Sequence, residues 1–201
     1  MPGRWSAIHR ANAPDRGLLW AETLLRRYGV VDRTAVVGER IPGGFHALFS
    51  VLRRLDDAGR CQQVYAVQGL GGAQFATPAA LEQLRQSRTS GPVLLAATDP
   101  ANPLGATVAW PETEGGRPMR KAGALVLMGD EGPQFYVDAS ARSLVAWGEP
   151  NADLLRALRE LLTQRRERIL IKRVNGNDIF TSEWREHLIG AGFRLTPSGL
   201  R

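Results

Sequence analysis

The sequence contains a single cysteine, Cys61, and three histidines. One cysteine excludes an internal disulfide and is typical of a reducing compartment, so we expect a cytoplasmic protein. The same scarcity of thiols and imidazoles leaves too few ligands for a zinc or iron–sulfur site, and we expect no metal site. No apolar run approaches the ~20 residues that a membrane-spanning helix needs, so no membrane partner is expected.

Lysine is also scarce, because only Lys121 and Lys172 among the 26 basic residues are lysines and the rest are arginines. The net charge is +6 and the isoelectric point is near 10.4, a modest excess that favours polyanionic partners. Arginine suits phosphate groups and guanine edges better than lysine does. A GC-rich genome produces the same bias, so the arginine content alone does not identify a function.

A nucleotide-binding loop is missing as well. Gly69, Gly71 and Gly72 follow a predicted strand, but a phosphate loop must lead into a helix whose first amides point at the phosphate. Here a second predicted strand follows, and the chain contains no Gly-Lys-Ser/Thr sequence. We therefore expect no cofactor in this chain, and we interpret these glycines as the tip of a β-hairpin.

The first part of the chain has a recognisable order of predicted elements. Asp15 caps a first helix, a short second helix covers residues 33–39, and a third helix runs from Phe45 to about Asp57. Two strands at residues 61–67 and 73–76 and a closing helix at residues 78–86 follow. Helix, helix, helix and hairpin is the order of a winged-helix domain, to which we assign residues 1–90.

The third helix is the most informative segment because its two faces differ. One face is apolar, with Phe45, Leu48, Phe49, Leu52 and Leu55. The other carries His46, Ser50, Arg53 and Arg54, which we predict to contact DNA. A solvated surface helix would show the same pattern, and Asp56 and Asp57 would repel phosphates. The order of the elements favours the DNA-binding interpretation.

The hairpin is the candidate wing. We predict that Arg60 at its base and Gln68 near its tip bind DNA. Three further glutamines, Gln62, Gln63 and Gln74, are also available for contacts with backbone or bases.

The second part, residues 91–201, is rich in predicted strands. These strands are expected at residues 93–98, 106–110, 122–128, 134–138, 143–147, 169–174 and 193–196, and helices at residues 151–164 and 181–191. Short strands with two packing helices indicate a β-barrel-like module. The expected fold class is therefore α+β, a winged helix followed by a β-barrel-like module.

The amino-acid sequence of several segments resembles that of the C-terminal region of large helicase-related proteins (Lhr). The segments that carry the resemblance are Ile41-Pro42-Gly43-Gly44-Phe45, Gly69-Leu70-Gly71-Gly72-Ala73-Gln74-Phe75-Ala76, Ala96-Ala97-Thr98-Asp99-Pro100 and Gly192-Phe193-Arg194-Leu195-Thr196-Pro197. The likeness covers nearly the whole chain. It implies a C-terminal, DNA-binding part of a bacterial superfamily 2 helicase that acts in DNA repair.

The resemblance also implies partners. In that family an N-terminal motor uses ATP and Mg²⁺ and moves along DNA, while the C-terminal extension holds winged helices and a β-barrel module. This chain carries no motor motifs, so the motor would act with it in cis or in trans. The DNA expected is single-stranded or forked.

Two other functions remain open. The layout is similar to that of winged-helix DNA glycosylases, which excise uracil or damaged bases, but their Gln-x-Gln motif is missing here. Asp99 is the candidate catalytic carboxylate, although an aspartate before Pro100 is also typical of a simple turn. Alternatively, the winged helix serves assembly and joins protomers into a homo-oligomer.

Overall fold

The computed structural model describes residues 15–67, 69–86, 91–165 and 169–201. The chain divides into two compact units, Met1–Ser87 and Arg88–Arg201. In chain order, the first unit contains α1 (Arg16–Tyr28), β1 (Val30–Val31), α2 (Arg33–Gly38), α3 (Gly44–Asp57), β2 (Gln62–Val64), β3 (Gln74–Ala76) and α4 (Pro78–Arg85). None of the described helices is both long and apolar enough to cross a membrane.

Short polar side chains and glycines set the ends of the first three helices. The Asp15 carboxylate accepts a hydrogen bond from the amide of Leu18 at 3.0 Å, and Asp32 caps α2 in the same way. Gly43, with φ of 79°, precedes α3 in the left-handed region. A Cβ at Gly43 would come within 2.7 Å of the Ala47 Cβ, so glycine is required there on two grounds.

The buried face of α3 differs from the predicted one at its two phenylalanines, and Phe45 is only partly buried. Leu48, Val51, Leu52 and Leu55 are buried, whereas the side chain of Phe49 remains 37% exposed. Phe49 lies at the edge of the core, where its ring contacts that of Phe75 with centroids 5.8 Å apart. Val51 therefore takes the place in the core that the sequence pattern assigned to Phe49.

The hairpin belongs to a three-stranded sheet in the order β1-β3-β2, with both pairings antiparallel. The sequence pattern missed β1, because two valines after Gly29 are too short a run to show a strand period. Phe75 is fully buried between this sheet and the helices. Three helices and this sheet form a winged helix, as predicted.

Cys61 belongs to the same core. Its thiol is fully buried and donates to the carbonyl of Leu52 at 3.5 Å. Burial raises the pKa of this thiol to about 11, with a smaller contribution from the charge of Asp56. Cys61 is thus a protonated core residue rather than a nucleophile.

The second unit is built on a six-stranded sheet with two helices. The sheet has the order β4-β5-β6-β7-β8-β9, and its neighbours β7 and β8 are parallel. Along the chain, α5 comes between these two strands. A separate hairpin ends the chain. The bounds are β4 (Val93–Ala96), β5 (Leu125–Gly129), β6 (Gly132–Val137), β7 (Ser143–Ala146), α5 (Ala152–Arg165), β8 (Arg173–Val174), β9 (Asn177–Asp178), α6 (Trp184–Gly190), β10 (Leu195–Thr196) and β11 (Gly199–Leu200).

The core of this unit joins one face of the sheet to the two helices. Leu155, Leu158 and Leu162 of α5 are buried, together with Trp184 and Leu188 of α6. The fold class is α+β, as predicted. The sheet order is open rather than closed, so the term β-barrel-like applies only loosely.

Several predicted elements of the second unit are wrong in extent, and one is not formed. The segment at residues 106–110 is not a strand, because the Pro103 carbonyl accepts the amides of residues 106, 107 and 108 in tight turns. The strand predicted at residues 169–174 is confined to Arg173–Val174, apart from an isolated bridge between Ile171 and Leu200. The last helix begins at Trp184 rather than at residue 181.

Candidate nucleic-acid interface

The outward face of α3 carries the polar residues that the sequence predicted for DNA contact. His46, Ser50, Arg53 and Arg54 are all exposed, opposite the buried Leu48, Val51, Leu52 and Leu55. A helix with one buried face and one exposed face of donors has the form of a groove-binding helix.

Arg53 is held in place from both sides. Its Nη1 donates to the Oε1 of Gln63 at 2.9 Å and lies 3.5 Å from a carboxylate oxygen of Asp56. The first contact links α3 to β2, so one side chain joins the two elements that a winged helix presents to DNA. The second partly neutralises Asp56, the carboxylate that the sequence pattern placed against DNA binding.

Arg54 has a different environment. Its side chain is exposed, and no hydrogen-bond or ion-pair partner belongs to it within the part of the chain that the structure describes. Its charge is therefore available for an external anion without the loss of an internal contact.

Arg60 forms an ion pair at the base of the wing. Its Nη1 lies 2.7 Å from the Oε1 of Glu22 on α1, and both side chains are partly exposed. Arg60 can rotate to a phosphate only by giving up this exposed pair, whose contribution to stability is small. Gln68, the other predicted wing contact, lies outside the described residues.

Gln74 has an internal role that the sequence pattern did not indicate. The residue is fully buried. Its Oε1 accepts the amides of Ala66 and Val67 at 3.0 and 2.9 Å, and its Nε2 donates to the carbonyls of Val67 and Leu70 at 3.0 and 3.1 Å. Gln74 is thus not available to DNA. Instead it fixes the path of the wing.

Tyr65 is the residue of this surface that sequence reasoning missed. It follows β2 directly, and its side chain is 87% exposed. The available signal was an aromatic residue within the hairpin that the sequence pattern assigns to the wing.

Asp99 of the second unit lies in a tight turn. Its carboxylate accepts the amide of Ala101 at 2.8 Å, while its own amide bonds the carbonyl of Ala96. The guanidinium of Arg120 donates to the carbonyls of Thr98 and Asp99. This is the local geometry of an aspartate that organises a turn.

A cavity of about 550 Å³ opens elsewhere in the second unit. Its polar lining comes from Glu112, Thr113, Glu114, Glu149, Asn175, Glu183 and His187. Trp147 also lines it, but its indole N–H already donates to the Glu112 carbonyl and its ring stacks on Trp110. Asn175 bonds the backbone of Ala146 through both of its amide atoms.

The comparisons with known proteins agree with the winged-helix fold of the first unit. Residues 10–93 match a family described as the winged-helix domain of the large helicase-related protein. Along 99% of its length the chain is 41% identical to the "Lhr helicase/probable uracil glycosylase" of Mycolicibacterium smegmatis. The chain is related to the C-terminal region of Lhr.

A second Lhr protein supports the same relationship. The "Lhr helicase/uracil glycosylase" of Escherichia coli is 35% identical across 100% of the chain. The chain spans only 15% of the length of the first relative and 14% of the second. The activities named for these two proteins therefore belong to much longer Lhr chains.

Proposed function

We propose that the first unit binds DNA, as a C-terminal module of an Lhr-type ATP-dependent helicase that acts in DNA repair. The observation that carries this proposal is the exposed polar face of α3 in a winged helix related to Lhr. In this arrangement α3 enters a groove, and the β2–β3 hairpin contacts the adjacent backbone. ATP hydrolysis belongs to motor domains that act with this chain in cis or in trans.

Each polar residue of the interface has a distinct role in this proposal. Arg54 contacts a phosphate or a guanine edge, because its charge has no partner among the described residues. Arg53 is oriented by Gln63, so it reaches the DNA where helix and wing meet. His46 and Ser50 contact bases or backbone from the same face, and Arg60 and Gln68 contact backbone beside the wing.

The double variant Arg53→Ala/Arg54→Ala tests this proposal. We expect its affinity for DNA to fall by roughly tenfold or more near physiological salt, since two cationic contacts are lost. The measurement is fluorescence anisotropy with a labelled fork, and Arg142→Ala/Arg173→Ala in the second unit is the matched control. Both control arginines are exposed, so the comparison holds the change in net charge constant. Unchanged affinity in the α3 variant overturns the proposal.

A second candidate function is excision of uracil, which the names of both relatives favour. In this chain Asp99 is the candidate catalytic residue. If Asp99 acts on the sugar or on water, Asp99→Asn abolishes uracil release from an oligonucleotide while the fold persists. The hydrogen bond from Ala101 survives in that variant, because the asparagine oxygen still accepts it. No release by the purified chain contradicts this candidate, and release that persists in Asp99→Asn removes Asp99 from it.

A further inference from the structure

Tyr65 is exposed to a degree that its own fold does not explain. At 87% it is the most exposed of the large hydrophobic side chains in the described residues. Within those residues it has neither a hydrogen bond nor a ring contact. Other exposed aromatic side chains of this unit are largely covered by comparison, with Trp20 at 40% and Tyr28 at 37%.

The loop that carries Tyr65 is held in a defined conformation. The buried amide of Gln74 bonds the backbone of Ala66, Val67 and Leu70, immediately after Tyr65. Gly69 and Gly72, with φ of 79° and 89°, allow the turn that these bonds require. A ring presented from a fixed loop loses less entropy on binding than one on a mobile loop.

Tyr65 also follows directly on the strand that is joined to α3. That strand, β2, ends at Val64 and carries Gln63, which accepts the hydrogen bond from Arg53. The wing residue Tyr65 thus comes two residues after a direct contact with the arginine-bearing helix, whose positive charge is complementary to a nucleic-acid backbone.

We propose that Tyr65 stacks on an unpaired DNA base, so that the wing recognises the single-stranded part of a fork. The inference rests on the proposed DNA binding by α3 and adds the form of DNA that the wing selects. Inside a duplex the faces of the bases are covered by their neighbours, whereas unpaired bases offer a free face to an aromatic ring. Arginines on α3 hold the backbone, and Tyr65 supplies the contact that distinguishes unpaired from paired DNA.

The test compares Tyr65→Ala, Tyr65→Phe and Tyr65→Trp in the full chain. The probes are a fork with 2-aminopurine as the first unpaired base and a blunt duplex of equal length. We expect Tyr65→Ala to weaken fork binding on the order of tenfold and duplex binding by less than about twofold. The phenylalanine and tryptophan variants keep fork binding and fluorescence quenching, because they keep a ring. Trp20→Ala, which removes an exposed ring on α1, serves as the control and leaves both affinities unchanged.

Two outcomes overturn the inference. The first is that Tyr65→Ala does not distinguish the two probes, because it binds fork and duplex as the unmodified chain does or loses affinity for both equally. Either result shows that Tyr65 does not select unpaired bases. Loss of self-association with intact DNA binding indicates instead a protein contact at the wing and equally overturns it. The variant Arg53→Ala/Arg54→Ala keeps this test distinct from the proposed DNA binding by α3. Its loss of affinity for both fork and duplex reports on α3 independently of Tyr65.

Discussion

The two units use their polar side chains in different ways. On the winged helix, Arg54 and Tyr65 are exposed without partners among the described residues, and Arg53 is oriented by Gln63. In the second unit, Asp99 accepts a backbone amide of its own turn, and the indole of Trp147 donates to the carbonyl of Glu112. The comparison teaches that an exposed side chain without an internal partner is a stronger candidate for a ligand contact than one already engaged with the backbone.

The units also share a device. Each contains a side chain that organises a turn through four hydrogen bonds, such as Gln74 in the wing and Asp138 after β6. In the first unit this device supports the proposed binding surface. In the second it supports the connection from β6 to β7.

Replacement of a core leucine is expected to give the largest change in stability. It also tests whether the first unit folds and binds DNA independently of the second. Leu158 is fully buried in the second unit. Leu158→Ala should reduce the free energy of unfolding of that unit by about 2–5 kcal/mol, measured by denaturant unfolding. Because the first unit has its own core, DNA affinity at low temperature should stay within about twofold. A parallel loss of DNA affinity would show that the winged helix depends on the second unit.

The next effect concerns the wing. Gln74→Leu keeps the side-chain volume but removes all four hydrogen bonds, and we expect a loss of about 2–3 kcal/mol in unfolding free energy. Fork binding should weaken as well, since Tyr65 is no longer held. Gln62→Leu is the control, because Gln62 is exposed on β2 and should change stability by less than about 0.5 kcal/mol. A stable Gln74→Leu variant with full fork affinity would contradict the assigned role.

Asp138 provides the corresponding prediction for the second unit. Burial alone would raise the pKa of its carboxyl, but hydrogen bonds from Ser140, Ser143 and Arg142 outweigh burial and hold the pKa below its usual value. Asp138→Asn should cost about 1–2 kcal/mol at pH 7. A carboxyl with a lowered pKa stabilises the fold above its unfolded pKa of about 3.9 and loses that contribution as the pH falls.

The measurement for Asp138 is urea unfolding of both proteins at several pH values. The gap between the unmodified chain and Asp138→Asn should narrow as the pH is lowered through about 4. Asp99→Asn is the control, since its carboxylate accepts one hydrogen bond rather than four. A gap that stays constant with pH would show that the ionised form of Asp138 contributes nothing.

The smallest effect is expected at the base of the wing. Glu22→Gln removes the charge that pairs with Arg60, and the exposed pair should contribute less than about 0.5 kcal/mol to stability. The released arginine should improve DNA affinity by no more than about twofold, and more at low salt than at high salt. Weaker DNA binding in this variant would mean that Glu22 positions Arg60 for the contact.

Much of the winged helix was predictable because local chemistry sets it. Asp15 and Asp32 cap their helices, and the leucines of α3 recur at helical spacing. The strand β1 was not predictable, because its two valines become a strand only by pairing with Phe75 and Ala76. Likewise, periodicity cannot distinguish an outward glutamine from Gln74, whose partners come from a loop four to eight residues away.

The second unit was predicted less well for the same physical reason. Its strands β5 and β6 have five and six residues and are long enough to show in the sequence, whereas β8 to β11 have two residues each and exist only through pairing. The turns after Pro103 and the local hydrogen bond of Asp99 likewise depend on contacts that a residue pattern does not show. Only the alternative interpretation of Asp99 as a turn residue anticipated its geometry.

The salt dependence of DNA affinity tests the central claim most directly. If Arg53 and Arg54 each neutralise a phosphate, the negative slope of log affinity against log salt should become shallower by about 2 in Arg53→Ala/Arg54→Ala. The slope should stay unchanged in Arg142→Ala/Arg173→Ala, which removes the same charge from the second unit. Equal slopes in both double variants would contradict the account, because DNA would then respond to net charge rather than to the face of α3.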